Sequence, residues 1–560
     1  MPSNLQHQLA ALQRDAEERD AERRAKTLGF PYVDLRKTPI SLEAMKFLPE
    51  ADAKATQTAA IQIRAHELAL VMFDPHLEPA KKLVAGLIQK KLKVKIYVGS
   101  QSSLDQAWAF YRFISLPTAD ITGTLGVTAE ELAELGAKIN SFQALKVELD
   151  SLDYSRVGTA ELYRRIIVGA LQNKASDIHF EATQGGAEIR LRIDGLLHSA
   201  GDVPPKPYEH LLSRIKLVSE MKLNVKDEAQ DGRFTITVAG KEIEVRVSII
   251  PSEFGETVVM RILDPAGISV TLPELGLRSD LLKLVEQQLA KPNGLILNTG
   301  PTGSGKTTTL YAFLRHVLTP EIKIITVEDP IEYRIAGIEQ TQIDPEAGYT
   351  FASGLRAILR QDPDVILVGE VRDQETADIA LQAALTGHLV FSTLHTNDAV
   401  GAIPRLVDLG VKTATVGPAL SLVIAQRLVR RLCAKCRKPQ EVPAELRPKV
   451  RAFLEHLPPQ VDQAPYAAFL ADGPATVNTQ TGCEACNQFG FRGRIGIFEF
   501  LETDQPEFQE AVLQSASHVA LRKLAQEQKM TSMQADGILK FLAGLTTLAE
   551  VESVTGPIEW

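Results

Sequence analysis

One glycine-rich stretch, residues 300–307, carries the plainest chemistry in the sequence. It reads Gly-Pro-Thr-Gly-Ser-Gly-Lys-Thr and follows an apolar run at residues 294–298. Glycines at this spacing let successive backbone N–H groups point at phosphate oxygens, the lysine reaches the β- and γ-phosphates, and the threonine hydroxyl ligates Mg²⁺. A helical pattern follows, and a helix N-terminus adds partial positive charge there. The stretch predicts a nucleotide-binding loop; the alternative, a chance glycine-rich turn, fits the full pattern poorly.

The predicted nucleotide contacts form one contiguous set. ATP and Mg²⁺ are the expected cofactors, because the loop ends in a lysine and a threonine. Lys306 is predicted to act on the phosphates, and Thr307 is a predicted Mg²⁺ ligand. The full set is Gly300, Pro301, Thr302, Gly303, Ser304, Gly305, Lys306, Thr307 and Thr308.

Carboxylates follow two apolar runs further along the chain. An acidic box at residues 328–332 comes directly after the run at 322–327, and Glu370 follows the run at 365–368. Charged groups at the end of a buried strand are costly unless they meet a metal ion, water or a partner. Glu370 stands where an acidic residue meets the metal in nucleotide hydrolases, so it is the second predicted Mg²⁺ ligand, although it arrives as Gly-Glu and not as the usual Asp.

Two histidines flank the next apolar run, at residues 389–393. His388 precedes this run and His395 follows it. A single histidine is more often a satisfied structural residue than a catalytic one. Their positions at the ends of a strand beside the nucleotide make the two interpretations about equal, and a sensor of the γ-phosphate is the sharper role.

These residues need a scaffold, and the apolar runs supply it. The runs at residues 294–298, 322–327, 365–368 and 389–393 alternate with helical patterns. Such alternation predicts a mostly parallel sheet flanked by helices, in which function collects at the carboxyl ends of the strands. Residues 271–560 are therefore predicted to form one α/β nucleotide-binding domain.

A second, mixed α/β module precedes this domain, at residues 151–270. A helical pattern leads into strands that alternate apolar and polar residues around glycine turns. Arg233, Arg246 and Arg261 lie in or beside these strands. Exposed strand arginines are common, so the residues alone leave the role of these three undecided.

The first 150 residues divide into three parts. Residues 1–25 carry a dense run of both charge signs and predict a solvated helix or a frayed tail with no role beyond solubility. Residues 26–113 mix short strands and helices and predict a small α/β docking module. Residues 114–150 contain Pro, Gly and an acidic helical pattern and predict a linker.

All four cysteines fall in two Cys-x-x-Cys pairs: Cys433 with Cys436, and Cys483 with Cys486. Two such pairs in a reducing compartment are typical of a tetrahedral Zn²⁺ site that four thiolates close, so the metal would be structural. Four unrelated thiols or a redox pair are the alternatives, and no thioredoxin-like context supports the latter. The predicted site pins an insert at residues 430–490.

Length and composition fit a multidomain cytoplasmic protein. The chain has 560 residues, 44% of them apolar and 23% charged. No apolar run reaches the roughly 20 residues that cross a bilayer, and the N-terminus lacks the apolar core of a signal peptide. The formal charge of −9 offers no basic footprint, so direct contact with nucleic acid is not expected.

Taken together, the motifs resemble those of the traffic ATPases of type II secretion and type IV pilus assembly. The loop at 300–307, the acidic box at 328–332, the segment 362–376 and the paired histidines carry the resemblance. Residues 174–195 are similar to the second N-terminal domain of that family, and residues 26–112 look more loosely like the first. The resemblance covers nearly the whole chain and implies a RecA-like P-loop domain.

The resemblance implies roles that the residues alone left open. Arg246 and Arg261 match arginines of the second N-terminal domain that act as arginine fingers on the γ-phosphate, an effect of ~10³ to 10⁵ in rate. Glu332 corresponds to the general base for the attacking water. The expected catalytic residues are Arg246, Arg261, Lys306, Glu332, Glu370, His388 and His395.

An assembly and a location are also implied. Members of this family work as rings, so a homo-hexamer is expected, in the cytoplasm and peripheral to the inner membrane. The N-terminal module is expected to dock on an inner-membrane platform protein and a cytoplasmic adaptor. The zinc insert favours assembly or secretion over pilus retraction, because retraction ATPases lack this insert. Residues 26–29 lack the Arg-Leu-Gly pattern through which some relatives bind cyclic di-GMP, so that ligand is not predicted.

Two other function classes stay open at this point. One is a DNA-uptake or DNA-translocating ATPase, which DNA-stimulated hydrolysis that falls steeply with salt would favour. The other is a scaffold that binds nucleotide without hydrolysing it, and the presence of Lys306, Glu332 and Glu370 argues against it. The sequence does not separate secretion from pilus assembly.

Overall fold

The computed structural model describes residues 4–560 except 36, 65, 91, 112–123, 239, 265–269, 472–474 and 516. The chain divides into two compact units, Met1–Leu263 and Asp264–Trp560. Within the described residues, no helix combines the length and the apolar character that a membrane span requires.

The first unit contains two sheets and the helices that pack on them. Its helices are α1 (Asn4–Leu28), α2 (Leu42–Lys46), α3 (Glu50–Ala55), α4 (Glu78–Gln89), α5 (Gln101–Trp108), α6 (Ala129–Lys138), α7 (Phe142–Ser151), α8 (Thr159–Gln172) and α9 (Pro205–Val218). Its strands are β1 (Thr58–Arg64), β2 (Glu67–Met72), β3 (Lys93–Val98), β4 (Thr124–Val127), β5 (Asp177–Thr183), β6 (Gly186–Ile193), β7 (Leu196–Val203), β8 (Gln230–Val238), β9 (Lys241–Ser252) and β10 (Gly255–Leu263).

The N-terminal α/β module has a three-stranded sheet in the order β1-β2-β3. The β1–β2 pair is antiparallel and the β2–β3 pair is parallel. The central strand β2 is buried from Leu68 onward and shares one apolar core with residues of the helices of this module.

Helix α1 packs on this module through one narrow face, so the expected helix is present and only the expectation that it has no role beyond solubility is wrong. Glu18 is 5% exposed and accepts hydrogen bonds from the hydroxyls of Tyr32, Ser100 and Ser103 at 2.6 to 2.8 Å. Ala21 lies one turn further along and is fully buried. This buried face is hard to recognise in so charged a sequence. Glu18 resembles the exposed acidic residues around it, and it meets its hydrogen-bond donors only in the folded protein.

The segment expected to be a linker is also folded from residue 124 onward. Strand β4 pairs in parallel with β8, and α6 begins with a capping box in which Thr128 and Glu131 satisfy each other's backbone N–H groups. Helix α7 buries Leu145 and Leu149. The Pro and Gly residues that suggested a linker mostly precede this part.

The larger sheet of the first unit has seven strands in the order β4-β8-β9-β10-β5-β6-β7. All neighbouring pairs are antiparallel except β4–β8. Alternating burial along β6 and β8 matches the alternation in the sequence, with one face on the core and one face polar.

The second unit is built around one seven-stranded sheet. Its helices are α10 (Ser279–Leu289), α11 (Lys306–Val317), α12 (Phe351–Ile358), α13 (Gln374–Leu385), α14 (Ala402–Asp408), α15 (Thr413–Ala419), α16 (Arg447–Glu455), α17 (Ala467–Leu470), α18 (Pro506–Leu513), α19 (His518–Glu527), α20 (Met533–Leu542) and α21 (Leu548–Thr555). Its strands are β11 (Gly294–Thr299), β12 (Ile324–Glu328), β13 (Glu339–Gln342), β14 (Val365–Val368), β15 (Leu389–Leu394), β16 (Leu420–Leu432), β17 (Lys438–Glu441), β18 (Thr476–Thr479) and β19 (Phe491–Glu502).

The predicted parallel sheet is confirmed. Its order is β13-β12-β14-β15-β11-β16-β19, and all pairs are parallel except the last, so most strands end at one edge. Apolar cores cover both faces: Leu295 and Leu297 of β11 face one core, and Ile296 faces the other. Burial on both faces explains the continuous apolar runs in the sequence.

The insert lies between the two strands of the β16–β19 pair. Strands β17 and β18 form a short antiparallel ribbon within it. Its own apolar residues, including Val450 and Leu454, share a core with Leu539 and Leu542 of α20. The insert is therefore anchored to α20 through a shared apolar core.

Candidate nucleotide site

The glycine-rich loop leaves β11 at the carboxyl edge of the sheet. Gly300, Gly303 and Gly305 all have positive φ values, of 145°, 79° and 90°. A Cβ atom at Gly300 would lie 2.5 Å from the carbonyl oxygen of Gln426, and one at Gly305 would lie 2.8 Å from its Nε2 atom. Glycine is therefore required at both positions by conformation and by space.

Lys306 begins helix α11 directly after this loop. Its Nζ atom donates hydrogen bonds to the carbonyl oxygens of Gly300 and Pro301 at 2.8 and 3.1 Å. Burial lowers the pKa of Lys306, the charge of Glu370 raises it, and the charge of Arg427 lowers it. The ammonium group thus lies folded over the loop and close enough to both residues for their charges to act on it.

Gln426 on β16 supports the loop from behind, and sequence reasoning missed it. Its Oε1 atom accepts from Asn298 Nδ2 at 3.0 Å and from Thr309 Oγ1 at 2.8 Å. It therefore joins the strand before the loop to the helix after it. Only the parallel pairing of β11 with β16 brings it there, so no local pattern could have found it.

Two buried polar atoms beside the loop have no hydrogen-bond partner among the described residues. They are Ser304 Oγ and Arg427 Nη1. The guanidinium nitrogen lies 3.3 Å from the position that a Cβ atom of Gly300 would occupy. Unsatisfied buried groups are rare in proteins and commonly mark a site for water or a ligand. Their chemistry, a hydroxyl and a cation, suits a phosphate-bearing nucleotide.

The acidic box holds three carboxylates, and two of them, Glu328 and Glu332, differ in burial. Glu328 ends β12, is 3% exposed, and accepts hydrogen bonds from Tyr311, Thr326 and Gln340. Burial raises the pKa of Glu328. Glu332 is half-buried on the connection that follows β12. Glu328 is thus used within the fold, whereas Glu332 lies closer to the surface.

Glu370 follows β14 at the same edge and is largely buried. It pairs with Arg372, and its Oε2 atom lies 3.6 Å from His395 Nε2. Arg372 also lies 3.5 Å from Asp329 Oδ2, and the hydrogen bond from Arg372 to Glu370 raises the pKa of that guanidinium. These contacts bring together side chains from the loops that follow three neighbouring strands, β12, β14 and β15, beside Lys306.

The two histidines lie at opposite edges of the sheet. His395 follows β15 at the carboxyl edge, whereas His388 precedes β15 and its carbonyl oxygen accepts from Gly294 N–H at the start of β11. His388 Nδ1 lies 3.0 Å from the carbonyl oxygen of Ala383. A strand of this length separates the histidines by roughly 20 Å at about 3.3 Å per residue. The structure therefore places His388 at the amino edge of the sheet, away from the loop, and places His395 beside Glu370.

Comparison with known proteins gives the family. The model described as "Type II/IV secretion system protein" matches residues 156–553, and the model of the MshEN domain matches residues 28–111. The chain belongs to the type II/IV secretion system protein family.

Relatives and solved structures agree with this assignment. The chain is 35% identical over 543 residues to the type IV pilus assembly ATPase PilB of Myxococcus xanthus, an alignment covering 95% of this chain and 90% of that protein. It is 44% identical over 394 residues to the type II secretion system protein E of Dickeya dadantii, covering 70% of this chain and 75% of that protein. The ATPase DotB of Legionella pneumophila is 21% identical with a TM-score of 0.50, over 70% of this chain and 95% of that one. The expected resemblance and the RecA-like fold class are confirmed.

The three arginines that the sequence analysis singled out belong to the first unit, where they form a row across the seven-stranded sheet. Arg233 stands directly opposite Arg246, and Arg246 directly opposite Arg261. The row continues to Asp177 on β5 and Arg192 on β6. We call these five residues the arginine row. Like charges directly opposite each other destabilise a sheet, so three consecutive arginines are a costly arrangement without an anion.

The four cysteines of this chain meet at the point where β16 and β19 separate. Cys433 Sγ lies 3.9 Å from Cys483 Sγ, Cys436 Sγ lies 3.8 Å from Cys486 Sγ, and all four atoms lie within 4.8 Å of one another. A tetrahedral Zn²⁺ with bonds of about 2.3 Å requires sulfur atoms about 3.8 Å apart. The donor set and its spacing therefore fit one zinc ion.

Proposed function

We propose that this chain is the ATP hydrolase motor of a type IV pilus assembly or type II secretion machine. The observation that carries the proposal is the loop at 300–307, with Lys306 and Glu370 beside it, in a chain that is similar over 95% of its length to a pilus assembly ATPase. Phosphoryl transfer depends on positioning and charge stabilisation, and this edge of the sheet offers donors, a cation and carboxylates together.

Each candidate residue has a proposed role in hydrolysis. Water attacks the γ-phosphorus, Glu332 takes the proton of that water, and the bond to the β,γ-bridging oxygen breaks to give ADP and phosphate. Lys306 and the N–H groups of the loop hold the phosphates. Arg246 and Arg261 act as arginine fingers on the γ-phosphate. Mg²⁺, when bound by Thr307 and Glu370, supplies neutralising charge at the phosphate oxygens.

His395 is proposed to report the state of the nucleotide. It lies 3.6 Å from Glu370, and its loop is tied to the end of β11 by hydrogen bonds between Thr299 and Thr396 at 2.7 and 2.8 Å. The same loop reaches Glu499, which accepts from Ala399 N–H at 3.0 Å. A change of charge at Glu370 thus has a short path toward the C-terminal helices.

The working form is proposed to be a homo-hexamer at the cytoplasmic face of the inner membrane. Its proposed partners are an inner-membrane platform protein and a cytoplasmic adaptor, bound through the N-terminal module at residues 26–113. Support comes from family membership and from the separate MshEN match to residues 28–111. Direct contact with nucleic acid is not proposed, in keeping with the net charge of −9.

The test of the motor proposal is ATP turnover by the full-length protein and by Glu332→Gln. This variant removes the base and keeps the size of the side chain, so we expect turnover to fall by roughly 10² or more, the range typical of general base catalysis, while ATP binding persists. Phosphate release and a fluorescent-nucleotide titration measure the two quantities. Unchanged turnover would refute Glu332 as the base, and no turnover by the unmodified protein would refute the motor.

Zn²⁺ is proposed to occupy the four-cysteine cluster as a structural ion. We expect elemental analysis to find one zinc per chain, and Cys483→Ser to lose it along with a lower melting temperature, because the thiolates close the ends of β16 and β19. Absence of zinc from protein purified without chelators would refute this assignment without touching the motor proposal.

A further inference from the structure

Asp177 lies within the arginine row and is almost fully buried. It is 4% exposed and stands directly opposite Arg261 on one side and Arg192 on the other. Arg261 Nε donates to Asp177 Oδ1 at 3.0 Å, and Arg192 Nε lies 3.3 Å from Asp177 Oδ2. Ser176 Oγ donates to Oδ2 at 2.8 Å. One buried carboxylate therefore holds two guanidinium groups from opposite sides.

Asp177 offsets part of the positive charge of the arginine row. The row places four arginines and this one carboxylate on adjacent strands at a single register. The carboxylate stands between Arg261 and Arg192 and compensates both. A buried anion therefore holds Arg261, one of the two proposed arginine fingers, and the other, Arg246, lies 3.5 Å from the half-exposed Glu244.

The hydrogen bond to Asp177 uses only part of the Arg261 guanidinium group. The bond uses Nε, and the Arg261 side chain is 53% exposed. Among the described residues, Asp177 is the only carboxylate within ion-pair distance of Arg261. A guanidinium held through Nε keeps its two terminal nitrogens for a second acceptor, and that pair matches two oxygens of a phosphate.

We propose that Asp177 is a positioning residue that orients Arg261 toward the γ-phosphate of ATP. This inference rests on the arginine-finger role proposed for Arg261. A free arginine side chain has to give up rotamer freedom when it meets the phosphate, and a side chain already held through Nε has less freedom to give up. The effect belongs to the transition state, because the glycine-rich loop and Lys306 hold the nucleotide in the ground state. Loss of Asp177 should therefore lower kcat and leave KM for ATP nearly unchanged.

The experiment compares Asp177→Asn, Arg261→Ala and the double variant in the full-length protein by steady-state ATP hydrolysis. We expect Asp177→Asn to lower kcat at least tenfold, since a misplacement of about 1 Å can cost roughly 10²-fold, with KM within about twofold. We expect the double variant to be no slower than Arg261→Ala alone, because Asp177 acts through Arg261. A purely structural role would make the two losses multiply.

The matched control is Glu181→Gln. It removes the ion pair between Glu181 and Arg190, 3.1 Å apart on the same two strands β5 and β6, and should leave kcat unchanged. Should Asp177→Asn fail to fold, Asp177→Glu keeps the charge, displaces the carboxylate by one methylene group, and should still lower kcat.

The outcomes separate this inference from the proposed function. A slow Arg261→Ala beside an Asp177→Asn or Asp177→Glu variant with normal kcat overturns the positioning role alone. A double variant slower than Arg261→Ala by the full Asp177→Asn factor also overturns it. Normal turnover by Arg261→Ala refutes the arginine finger, and the positioning role falls with it, while the motor proposal stays subject to its own Glu332→Gln test.

Discussion

The phosphate-binding loop of the second unit and the arginine row of the first unit both gather positive charge, but the chain builds them in different ways. The loop is continuous in sequence, since β11 ends, residues 300–307 turn and α11 begins. The row takes one residue from each of five strands and depends on their register. One site is therefore a local motif, and the other exists only after the sheet has formed.

This difference in construction implies a difference in task. The loop offers backbone N–H groups whose directions glycine and the helix have already fixed, so binding costs little side-chain entropy. The row offers long arginine side chains, each with up to about 2 kcal/mol of rotamer freedom to lose. Such side chains need partners like Asp177 to hold them. We expect the loop to determine nucleotide affinity and the row to determine turnover.

Lys306→Ala should have the largest effect, on affinity and turnover together. The side chain supplies contacts to charged phosphate oxygens at roughly 1.5–3 kcal/mol each, so kcat/KM should fall by roughly 10² or more. Fluorescent-nucleotide titration and phosphate release measure the two parts. Lys323→Ala is the matched control, because its Nζ atom binds the carbonyl oxygen of Gln361 at the opposite edge of the sheet. An affinity unchanged by Lys306→Ala would contradict the task given to the loop.

Arg246→Ala and Arg261→Ala should affect turnover alone. The arginine-finger effect of ~10³ to 10⁵ in rate is shared between the two residues, so we expect each variant to lower kcat by roughly 10² with KM within about twofold. Arg190→Ala, on the neighbouring strand β6 and paired with Glu181, provides the control for loss of a sheet arginine. A rise in KM with normal kcat would show that the row binds ground-state nucleotide, and the contrast with the loop would then fail.

The parts of the molecule that sequence reasoning predicted are local in the chain. The glycine-rich loop, the strands around it and the parallel sheet follow from short patterns, and the structure confirms those strands and that sheet. The two Cys-x-x-Cys pairs are likewise local, and the fold brings them together. Continuous apolar runs are informative here because β11, β12, β14 and β15 are buried on both faces.

The parts that sequence reasoning missed depend on contacts between distant residues. Gln426 reaches Asn298 across 128 positions of the chain, and Asp177 reaches Arg261 across 84. Glu18 looked like one charge among many and became buried only because Ser100 and Ser103 meet it from another helix. The sequence puts His388 and His395 at the two ends of one strand, but only the parallel pairing of β15 with β11 and β14 shows that His395 is at the edge where the loop lies. Register and direction are properties of the sheet, which no single segment encodes.

His395→Ala should have a smaller effect than the arginine variants. The imidazole is half-exposed and lies 3.6 Å from Glu370, so the contact is worth up to about 1 kcal/mol, which corresponds to roughly fivefold or less in kcat. His388→Ala, at the amino edge, should change kcat by less than about twofold. Phosphate release from both variants, side by side, gives the measurement. Equal losses of kcat in the two variants would mean that the position of a histidine at the carboxyl or the amino edge of the sheet does not determine its role in hydrolysis.

The smallest expected effect is on the stability of the fold. It distinguishes a buried carboxylate of the second unit, Glu328, from an exposed one, Glu274. Burial raises the pKa of Glu328 above its ordinary value of 4.5. Between pH 4.5 and the raised native pKa, Glu328 therefore keeps its proton in the native state, whereas the unfolded chain has released it. Stability therefore falls as the pH rises from 4.5 toward the raised native pKa, and Glu328→Gln should escape that part of the loss. Denaturant unfolding of both proteins across this range measures the difference.

Glu274→Gln tests the sign of the same argument. Hydrogen bonds from Thr271 N–H and Oγ1, both 2.8 Å, lower the pKa of the exposed Glu274, so its carboxylate stabilises the native state above pH 4.5 and loses that contribution as the pH falls. Relative to the unmodified protein, Glu328→Gln should gain stability as the pH rises from 4.5, and Glu274→Gln should lose it as the pH rises toward 4.5. Parallel curves for the two variants would show that burial at the end of β12 does not control the proton on Glu328, and the structural role given to Glu328 would then lose its basis.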